Sequence, residues 1–431
     1  MLKPKERLDV IEWRWLNIVL RAGVAIGLIL CMYKAVRQGV AAWYFKKSTP
    51  EGIQTAIRWD PRNPEYYDAL ATLMHFYADN PNPDNVIHLY ENATRLSPFN
   101  AGYWADLGGA YEWAGRKNEA LKAFERAREL SPRSPEINWR LANFYVRAHR
   151  TEEGLRALHT VLLSNTIPQR QVFTLATNAT SDRRKILDEM LPQRAPVLFD
   201  YLDYQIEIGR MDAADEVWAR LLELNLAFDL PQAFPYLDGL IQHRETDRLV
   251  EAWAALTIRF PTEIHADITR TNLITNGSFE FEPLNGGLDW RIAPTEGADA
   301  SLDSLVTFDG VHSLRIEFDG TRNVDYGGVF QYVPVEPNAQ YAFSAYMRVE
   351  GITTDMGPRM QIFDAYDMGK LLLSTENLVG SSEWSAEQLS FTTGADTRLL
   401  IVRVARPVSH KLDNRLSGTV WVDHVSLIRV K

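Results

Sequence analysis

Apolar residues recur with the period of an α-helix over most of the first 260 residues, and with the period of a β-strand after that. The clearest helical stretch runs from residue 101 to residue 134. Trp104, Leu107 and Tyr111 stand at i, i+3 and i+7, which places them on one face of a predicted helix. A second predicted helix turns an apolar face back towards the first and ends at a proline. The apolar and small positions of this stretch are Trp104, Leu107, Gly108, Tyr111, Ala120, Phe124, Ala127 and Pro132.

These positions resemble a tetratricopeptide (TPR) unit, a helical hairpin of about 34 residues. The pattern is strong over 64–167 and weaker over 195–262, while residues 169–192 read as helical without fitting the repeat. One hairpin cannot bury its apolar faces alone, so neighbours must stack on it. We therefore expect an α-solenoid over 48–262 with five or six hairpins, and a capping half-unit at 49–60.

The resemblance to TPR proteins implies that a protein partner binds in the concave groove. A spacer or self-association module is the alternative. Arg140, Asn143 and Arg147 lie off the core stripe of one first helix and are the candidate groove residues. A plain solvated helix face explains the same three positions.

The N-terminal apolar stretch predicts a membrane helix. Residues 15–33 are about as long as a bilayer is thick, and Arg21 is the one charge among them, six residues in, where its side chain can reach the headgroups. We assign 1–14 as a tail and 15–45 as the transmembrane helix with its juxtamembrane segment. No small-residue cleavage site follows the apolar run, which predicts an uncleaved anchor. The alternative is an amphipathic helix lying on the membrane or packed on the solenoid.

Alternating polar and apolar residues replace the helical period after Pro261. Ranges 313–318, 341–349 and 400–404 alternate, and Asp-Gly and Pro-Asn turn signals separate them. Many short strands at this spacing predict an antiparallel sandwich.

The ends of this second region resemble carbohydrate-binding modules of the jelly-roll type, in the broad group that includes families 4, 9 and 22. Residues 272–280 resemble their first strand, 333–344 a middle strand and 420–427 their last strand. The resemblance covers 267–431 and implies a β-sandwich. It identifies the ligand poorly, because the same sandwich often serves as an accessory domain.

A structural calcium often ties the first strand to the last in that group. Glu280 and Asp423 stand where the resemblance places carboxylate ligands, and carboxylate oxygens suit Ca²⁺. The alternative is that Asp423 accepts backbone hydrogen bonds at a strand end and that no metal binds.

Sugar binding needs exposed aromatic rings that stack on pyranose faces. The glycan-binding candidates are Trp290, Tyr326, Tyr332 and Trp384. Core packing is the alternative for each ring, and it is favoured for Trp290.

Composition and missing motifs narrow the function classes. A formal net charge of −10 argues against a nucleic-acid binder, which needs a basic face. The sequence has no HExxH pair, GxSxG elbow, P-loop or Cys/His cluster, so we expect no enzyme and no cofactor beyond the calcium considered above.

The expected architecture is one transmembrane helix, a TPR solenoid and a jelly-roll sandwich. Four basic residues lie on each side of the span, so charge alone does not orient it. A glycan-binding fold favours a bacterial inner membrane with the body in the periplasm. The predicted function is a non-catalytic, membrane-anchored adaptor in cell-envelope or exopolysaccharide assembly, with partners at the groove, the sandwich and the membrane. The alternatives are a pure protein–protein scaffold and an accessory subunit of a polysaccharide-acting enzyme.

Overall fold

The computed structural model describes residues 4–266, 271–412 and 414–430, with side chains from Trp15 onwards. The chain divides into two compact units, 1–193 and 194–431. The division falls within the predicted solenoid, so the last helices share a unit with the sandwich. The predicted start of the sandwich at residue 267 lies outside the described residues, and the domain boundaries stay predictions.

Helices make up the described part of the first unit. They are α1 (Pro4–Phe45), α2 (Pro50–Trp59), α3 (Pro64–Tyr77), α4 (Pro83–Leu96), α5 (Ala101–Trp113), α6 (Lys117–Leu130), α7 (Pro135–Arg147), α8 (Thr151–Leu162), α9 (Gln169–Ala179) and α10 (Arg183–Lys185).

The repeat hairpins form because each helix has a defined start and a buried face. Asn63, Asn82 and Asn100 cap the starts of α3, α4 and α5 by accepting hydrogen bonds from backbone N–H groups within the first turn. Leu107 on α5 and Phe124 on α6 are almost fully buried, as the sequence pattern predicts. The helical repeat is confirmed.

Gly108 permits the close approach of α5 and α6. A Cβ atom added there would lie 2.9 Å from two ring atoms of Phe124, and that ring is 2% exposed. Gly109, the next residue, has no neighbour within 4 Å of such a Cβ.

Gly108→Ala is therefore expected to lower the free energy of unfolding by about 1–3 kcal/mol, because the buried ring has no room to yield. Gly109→Ala is the matched control, and it is expected to raise stability by up to about 1 kcal/mol through helix propensity. Urea unfolding followed by circular dichroism measures both. Equal effects of the two substitutions would contradict this account of the hairpin.

The repeat pattern fails where the sequence predicts an irregular segment. After α9, the short α10 leads into one turn of π-helix at Ile186–Met190. Ile186 and Met190 are buried there. The carbonyl oxygen of Met190 lies 3.1 Å from Nδ1 of His159 in α8. The segment packs on α8 without forming a hairpin of its own.

Helix α1 is the one candidate membrane span in the described residues. Its stretch from Trp15 to Phe45 is 31 residues long, and the apolar side chains between Trp15 and Val36 are exposed. Its length and composition fit a membrane span or a signal sequence.

The second unit begins with helices and continues with strands. The helices are α11 (Ala195–Glu207), α12 (Met211–Glu223), α13 (Phe234–Gln242) and α14 (Thr246–Arg259). The strands are β1 (Arg291–Ile292), β2 (Ala298–Asp303), β3 (Ser313–Asp319), β4 (Tyr326–Pro334), β5 (Gln340–Ile352), β6 (Arg359–Asp364), β7 (Leu372–Ser374), β8 (Gly380–Thr392), β9 (Leu399–Arg406) and β10 (Ser417–Arg429).

The strands form two antiparallel sheets that pack face to face. The order is β1-β4-β9-β6-β7 in the first sheet and β2-β3-β10-β5-β8 in the second. Alternate residues of each strand enter the core between the sheets, as Tyr341, Phe343 and Met347 do from β5. These sheets and the helical repeats confirm the predicted fold class, a helical repeat region followed by an antiparallel sandwich.

The last two helices pack on the sandwich within the second unit. The loop before β1 meets them, because Gly286 lies against the ring of Phe234 and Gly287 against that of Trp253. Arg291 at the start of β1 forms an ion pair with Asp238 of α13, with 2.5 Å between nitrogen and oxygen. One end of the first sheet is therefore covered by helices of the same unit.

Candidate functional site

Four aromatic or imidazole side chains gather on the outer face of the second sheet. Tyr346 comes from β5, Trp384 from β8, His424 from β10 and Phe308 from the loop between β2 and β3. Tyr346 points outwards because its neighbours in β5 alternate into the core. We call these four side chains the aromatic platform.

Phe308 lies at the centre of the aromatic platform. Its ring stacks on Tyr346 with 3.6 Å between the ring centroids and 14° between the planes. Trp384 and His424 meet it edge to face, at centroid distances of 5.9 and 6.1 Å. Since Tyr346 covers one face of Phe308 and the residue is still 40% exposed, its outward face is open to solvent.

Two buried or half-buried carboxylates hold the loop that carries Phe308. Asp423 is fully buried, and one of its oxygens accepts the backbone N–H groups of Phe308 at 2.9 Å and Asp309 at 3.1 Å. Its other oxygen accepts the N–H of His424 at 2.6 Å. Glu280 accepts the N–H of Val311 at 3.0 Å. The two carboxylates thus tie residues 308–312, the second half of the loop, to the sandwich.

Gly310 completes this loop. It has a φ of +67°, and a Cβ there would lie 1.9 Å from a carboxylate oxygen of Glu280. The Asp-Gly turn seen in the sequence is therefore required both by backbone conformation and by the close approach of Glu280.

Burial raises the pKa of Asp423, and the three backbone hydrogen bonds that its side chain accepts offset only part of this rise. The nearby Glu280 carboxylate also raises the pKa of Asp423. Asp423 and Glu280 therefore face the same loop and interact with each other.

The predicted calcium can be compared with this geometry. All four carboxylate oxygens of Glu280 and Asp423 accept backbone N–H groups of residues 308–312 or of His424. Among the residues that the structure describes, no third acidic or histidine side chain joins them in a metal-binding group. The carboxylates have a complete role without a metal, and calcium binding stays a prediction.

Two of the predicted glycan-binding rings are buried. Trp290 is 0% exposed, and its indole N–H donates to the carbonyl of Asn276 at 3.1 Å. Tyr326 is 3% exposed and packs edge to face on Phe318. Both rings belong to the core between the sheets, so neither can stack on a sugar. For Trp290 this is the core packing that the sequence favoured, and for Tyr326 the glycan-binding prediction is wrong.

Tyr332 lies on the opposite side of the sandwich from the aromatic platform. It is half-buried on the outer face of the first sheet, with the guanidinium of Arg291 5.2 Å from its ring centroid. Burial raises the pKa of the Tyr332 hydroxyl. Since Arg291 also binds Asp238 of α13, Tyr332 lies at the edge of the helix-covered end of the sheet.

The three predicted groove residues line one cavity of the first unit. This cavity measures about 560 Å³ and lies along the first helices of three successive hairpins, α3, α5 and α7. Arg140 pairs with Asp106, and Arg147 makes two hydrogen bonds of 2.8 and 2.9 Å to Glu112. Asn143 donates to the carbonyl of Trp139 one turn earlier. We call this cavity the solenoid groove.

Asp68 and Asp106 form a pair of carboxylates, of which Asp106 lines the solenoid groove and Asp68 lies beside it. Asp68 of α3 faces Asp106, and its Oδ1 is buried without a hydrogen-bond donor among the described residues. Burial, and after it the negative charge of Asp106, raise the pKa of Asp68 to about 7. Removing the charge of Asp68 relieves both effects.

Asp68→Asn is therefore expected to stabilise the first unit above neutral pH. The folded pKa of about 7 exceeds the unfolded value of 3.8, so the stability due to proton binding is complete below pH 3.8 and is lost as pH rises through 7. At pH 8 the variant is expected to gain about 1–2 kcal/mol, a figure reduced for solvent screening of this part-exposed group. Urea unfolding at pH 8 and pH 4 measures the difference.

Asp79→Asn, the same chemical change at an exposed position in the loop after α3, serves as the control and should change stability little at either pH. A gain for Asp68→Asn that is the same at both pH values would contradict the shifted pKa.

Sequence reasoning did not find the centre of the platform. In the sequence, Phe308 stands only next to the Asp-Gly turn signal at 309–310, and Tyr346 is one residue of the alternating range 341–349. No local sequence pattern identifies these residues as a site, because they become neighbours of Trp384 only when β5, β8 and β10 pair. Asp68, the neighbour of the groove residue Asp106, was likewise not a candidate.

Comparison with protein families supports both halves of the chain. Residues 271–409 match a family model described as a carbohydrate binding domain, and residues 114–170 match a tetratricopeptide repeat model. These matches confirm the two resemblances drawn from the sequence. A comparison with curated proteins gave no match.

Solved structures resemble parts of the chain at low identity. A carbohydrate-binding module of family 16 is 19% identical over 36% of this chain and 99% of its own, with a TM-score of 0.26. The protein MamA is 15% identical over 46% of this chain and 98% of its own, with a TM-score of 0.31. The tailspike protein 4 of bacteriophage CBA120 is 13% identical over 37% of this chain, at a TM-score of 0.28, and the match spans only 22% of the tailspike chain. At these TM-scores the likenesses carry no argument about function.

Proposed function

We propose that this chain is a membrane-anchored, non-catalytic adaptor of the bacterial cell envelope or of exopolysaccharide assembly. Its solenoid groove holds a segment of a protein partner, and the aromatic platform of its sandwich holds a glycan. TPR repeats and carbohydrate-binding domains typically bind ligands without transforming them, and these are the two domain types that the chain combines.

The open face of Phe308 is the observation that carries the glycan half of the proposal. A pyranose ring presents C–H bonds on one face, and these pack against a flat aromatic ring in water. Phe308 offers such a ring, backed by Tyr346 and bordered by Trp384. Asp309 and His424, with 3.7 Å between carboxylate oxygen and ring nitrogen, supply polar groups for sugar hydroxyls.

Retention on polysaccharide gels tests the glycan half. The full chain in detergent micelles is run through native gels that contain one soluble polysaccharide each, next to gels without polysaccharide. Slower migration in at least one polysaccharide is expected. Unchanged migration in a broad panel, with the sandwich folded by near-ultraviolet circular dichroism, would refute glycan binding and leave the adaptor as a protein scaffold.

The charge of the solenoid groove supports a protein partner of a particular kind. Arg140 and Arg147 are already paired with Asp106 and Glu112, whereas Asp68 has an oxygen without a donor. Asp68 therefore adds an unpaired negative charge behind Asp106, and a lysine or arginine side chain of a bound segment in the groove would offset that charge. The groove therefore favours a segment with a basic residue.

Site-specific photocrosslinking tests the groove. A photoreactive amino acid replaces Asn143 in the groove, and in a control it replaces Lys122, an exposed residue of α6. A crosslinked partner at position 143 and none at 122 is the expected result. The same crosslinks at both positions would contradict groove binding.

The body of the chain is proposed to lie on the periplasmic side, where envelope glycans are found. A phosphatase reporter that is active only outside the cytoplasm, fused after Lys431, should be active. Activity from a cytoplasm-only reporter at the same place would reverse the orientation.

A pure protein scaffold is the second candidate, and one observation favours it. Helices α13 and α14 cover one end of the first sheet, and Asp238 of α13 pairs with Arg291, which lies next to Tyr332. This part of the first sheet therefore contacts helices of the same unit and is not free to bind a glycan. The aromatic platform lies on the other sheet, so retention on polysaccharide gels distinguishes the glycan-binding adaptor from the pure protein scaffold.

A further inference from the structure

The proposed anchor continues directly into the folded body. Helix α1 runs without a break to Phe45, and its last turns pack on α2 and α3. Ala41 is fully buried there, and the rings of Phe45 and Tyr66 lie 4.8 Å apart between centroids. The end of α1 thus serves as the partner helix of α2, the half-unit that the sequence indicated.

Helix α2 runs antiparallel to the end of α1 and returns towards the apolar stretch. Near its start, Gly52 packs on the carbonyl of Tyr44, since a Cβ there would lie 2.8 Å from that oxygen. At its end, the carbonyl of Trp59 accepts a hydrogen bond of 2.9 Å from Nε of Arg37. Contacts therefore run from Tyr44 to Arg37 on α1 as α2 runs from Gly52 to Trp59.

This geometry places the end of α2 at the surface of the bilayer. Arg37 is four residues beyond Tyr33, where the predicted span ends, so at 1.5 Å per residue it lies about 6 Å further along the helix axis. The lipid headgroup layer occupies that depth. Trp59, which binds Arg37, and the loop that leads from it to α3 lie at the same level.

The side chains at this level are basic and aromatic. Four basic residues are found there, and among the described residues none of them forms an ion pair. Trp59 is 40% exposed and Tyr33 61% exposed, with the guanidinium of Arg37 5.8 Å from the ring centroid of Tyr33. We name the group the headgroup patch: Lys34, Arg37, Arg58, Trp59 and Arg62.

The headgroup patch differs in charge from the chain as a whole. Its four basic side chains outnumber the two acidic residues beside them in sequence, Asp60 and Glu65, in a chain whose formal net charge is −10. Basic side chains near a bilayer bind anionic lipids, and an interfacial tryptophan adds an anchor at the same depth.

We infer that the headgroup patch docks on anionic phospholipid headgroups and so sets the orientation of the first hairpin on the membrane. The inference rests on the proposed membrane anchor, because α1 must span the bilayer for the patch to reach the surface. It does not depend on which side of the membrane the body occupies. Because α1, α2 and α3 share one small core, docking at the patch also orients the hairpins that follow in the first unit.

Spin-label accessibility in nanodiscs tests the inference on the full chain. Cys31, the one cysteine, is replaced by serine, and a nitroxide is attached at Pro61→Cys, an exposed position in the α2–α3 loop. The collision rate of the nitroxide with a water-soluble nickel chelate is compared in discs of phosphatidylcholine and discs with phosphatidylglycerol added. The anionic lipid is expected to lower this rate by about twofold or more, and high salt to restore it.

Charge reversal at the patch provides the decisive comparison. Arg58→Glu with Arg62→Glu should abolish the difference between the two lipids, and the neutral pair Arg58→Gln with Arg62→Gln should reduce it. The matched control, Lys117→Glu with Lys122→Glu on the exposed face of α6, carries the same change in charge and should leave the difference intact. Equal rates in the two lipids, or loss of the difference in the control, would overturn headgroup docking.

Failure of the anchor is recognised separately. A chain that does not copurify with nanodiscs, or that alkaline carbonate removes from membranes, refutes the membrane-spanning helix and the docking inference together. A chain that stays in the disc but shows equal rates refutes docking alone.

Discussion

Asp423→Asn is expected to lower the free energy of unfolding of the C-terminal unit by about 2–4 kcal/mol, because it leaves buried N–H groups without an acceptor. In the native protein both carboxylate oxygens accept: one from Phe308 and Asp309, the other from His424. An asparagine offers one oxygen and one NH₂ group, so a donor must face a donor on one side. Urea unfolding of residues 194–431, the compact unit that contains the sandwich core, measures the loss.

Asp299→Asn, at an exposed position of β2 in the same sheet, is the matched control and should change stability by less than about 0.5 kcal/mol. A similar small effect for Asp423→Asn would show that the Phe308 loop does not depend on this carboxylate. The same measurement repeated with calcium and with a chelator tests the predicted metal. A calcium-dependent gain in the native unit that disappears in Asp423→Asn would establish it, and equal stability in both conditions would exclude it.

Phe308→Ala is expected to weaken glycan retention at least about tenfold, which corresponds to about 1.4 kcal/mol. The substitution removes the open ring face at the centre of the aromatic platform and leaves the backbone that Asp423 and Glu280 hold. The apparent dissociation constant comes from migration in gels of graded polysaccharide concentration. Trp384→Ala should weaken retention less, because Trp384 meets Phe308 at its edge and is half-buried.

Leu305→Ala gives the control for Phe308→Ala. Leu305 belongs to the same loop and is 92% exposed, so its removal changes apolar surface near the platform without changing the platform itself. Retention that falls equally in both variants would indicate a general loop effect, and retention unchanged in Phe308→Ala would place any glycan elsewhere.

Three residues of the candidate site could be predicted from the sequence, although they were predicted to bind different ligands. Trp384 was a glycan candidate, and Glu280 with Asp423 were calcium candidates. In the structure the two carboxylates hold the loop that brings Phe308 against Trp384, so the three residues serve one surface. No local sequence pattern shows that Glu280 and Asp423 hold the same loop, because the two residues lie near the start and near the end of the domain's sequence.

The aromatic candidates illustrate the same limit. The sequence favoured core packing for Trp290 but did not distinguish Tyr326, Tyr332 and Trp384 from one another. The four rings differ in burial in the structure, because one face of each sheet packs in the core and the other face contacts either helices or solvent. Trp290 and Tyr326 fall in the core, Tyr332 beside the helices, and Trp384 at the surface.

The sequence by itself determined the order of the architecture. Local periodicity is a property of neighbouring residues, so the period of 3.6, the spacing of 34 residues and the later period of 2 identified the solenoid and the sandwich, and the apolar run at residues 15–33 marked the candidate span. Only the tertiary structure decided which side chains meet across that order: Phe308 on Tyr346, Asp68 against Asp106, and Arg37 on the end of α2. Those contacts depend on strand pairing and helix stacking between residues far apart in the chain. Whether a given aromatic or acidic side chain is buried or exposed therefore follows from the tertiary structure and not from its sequence neighbours.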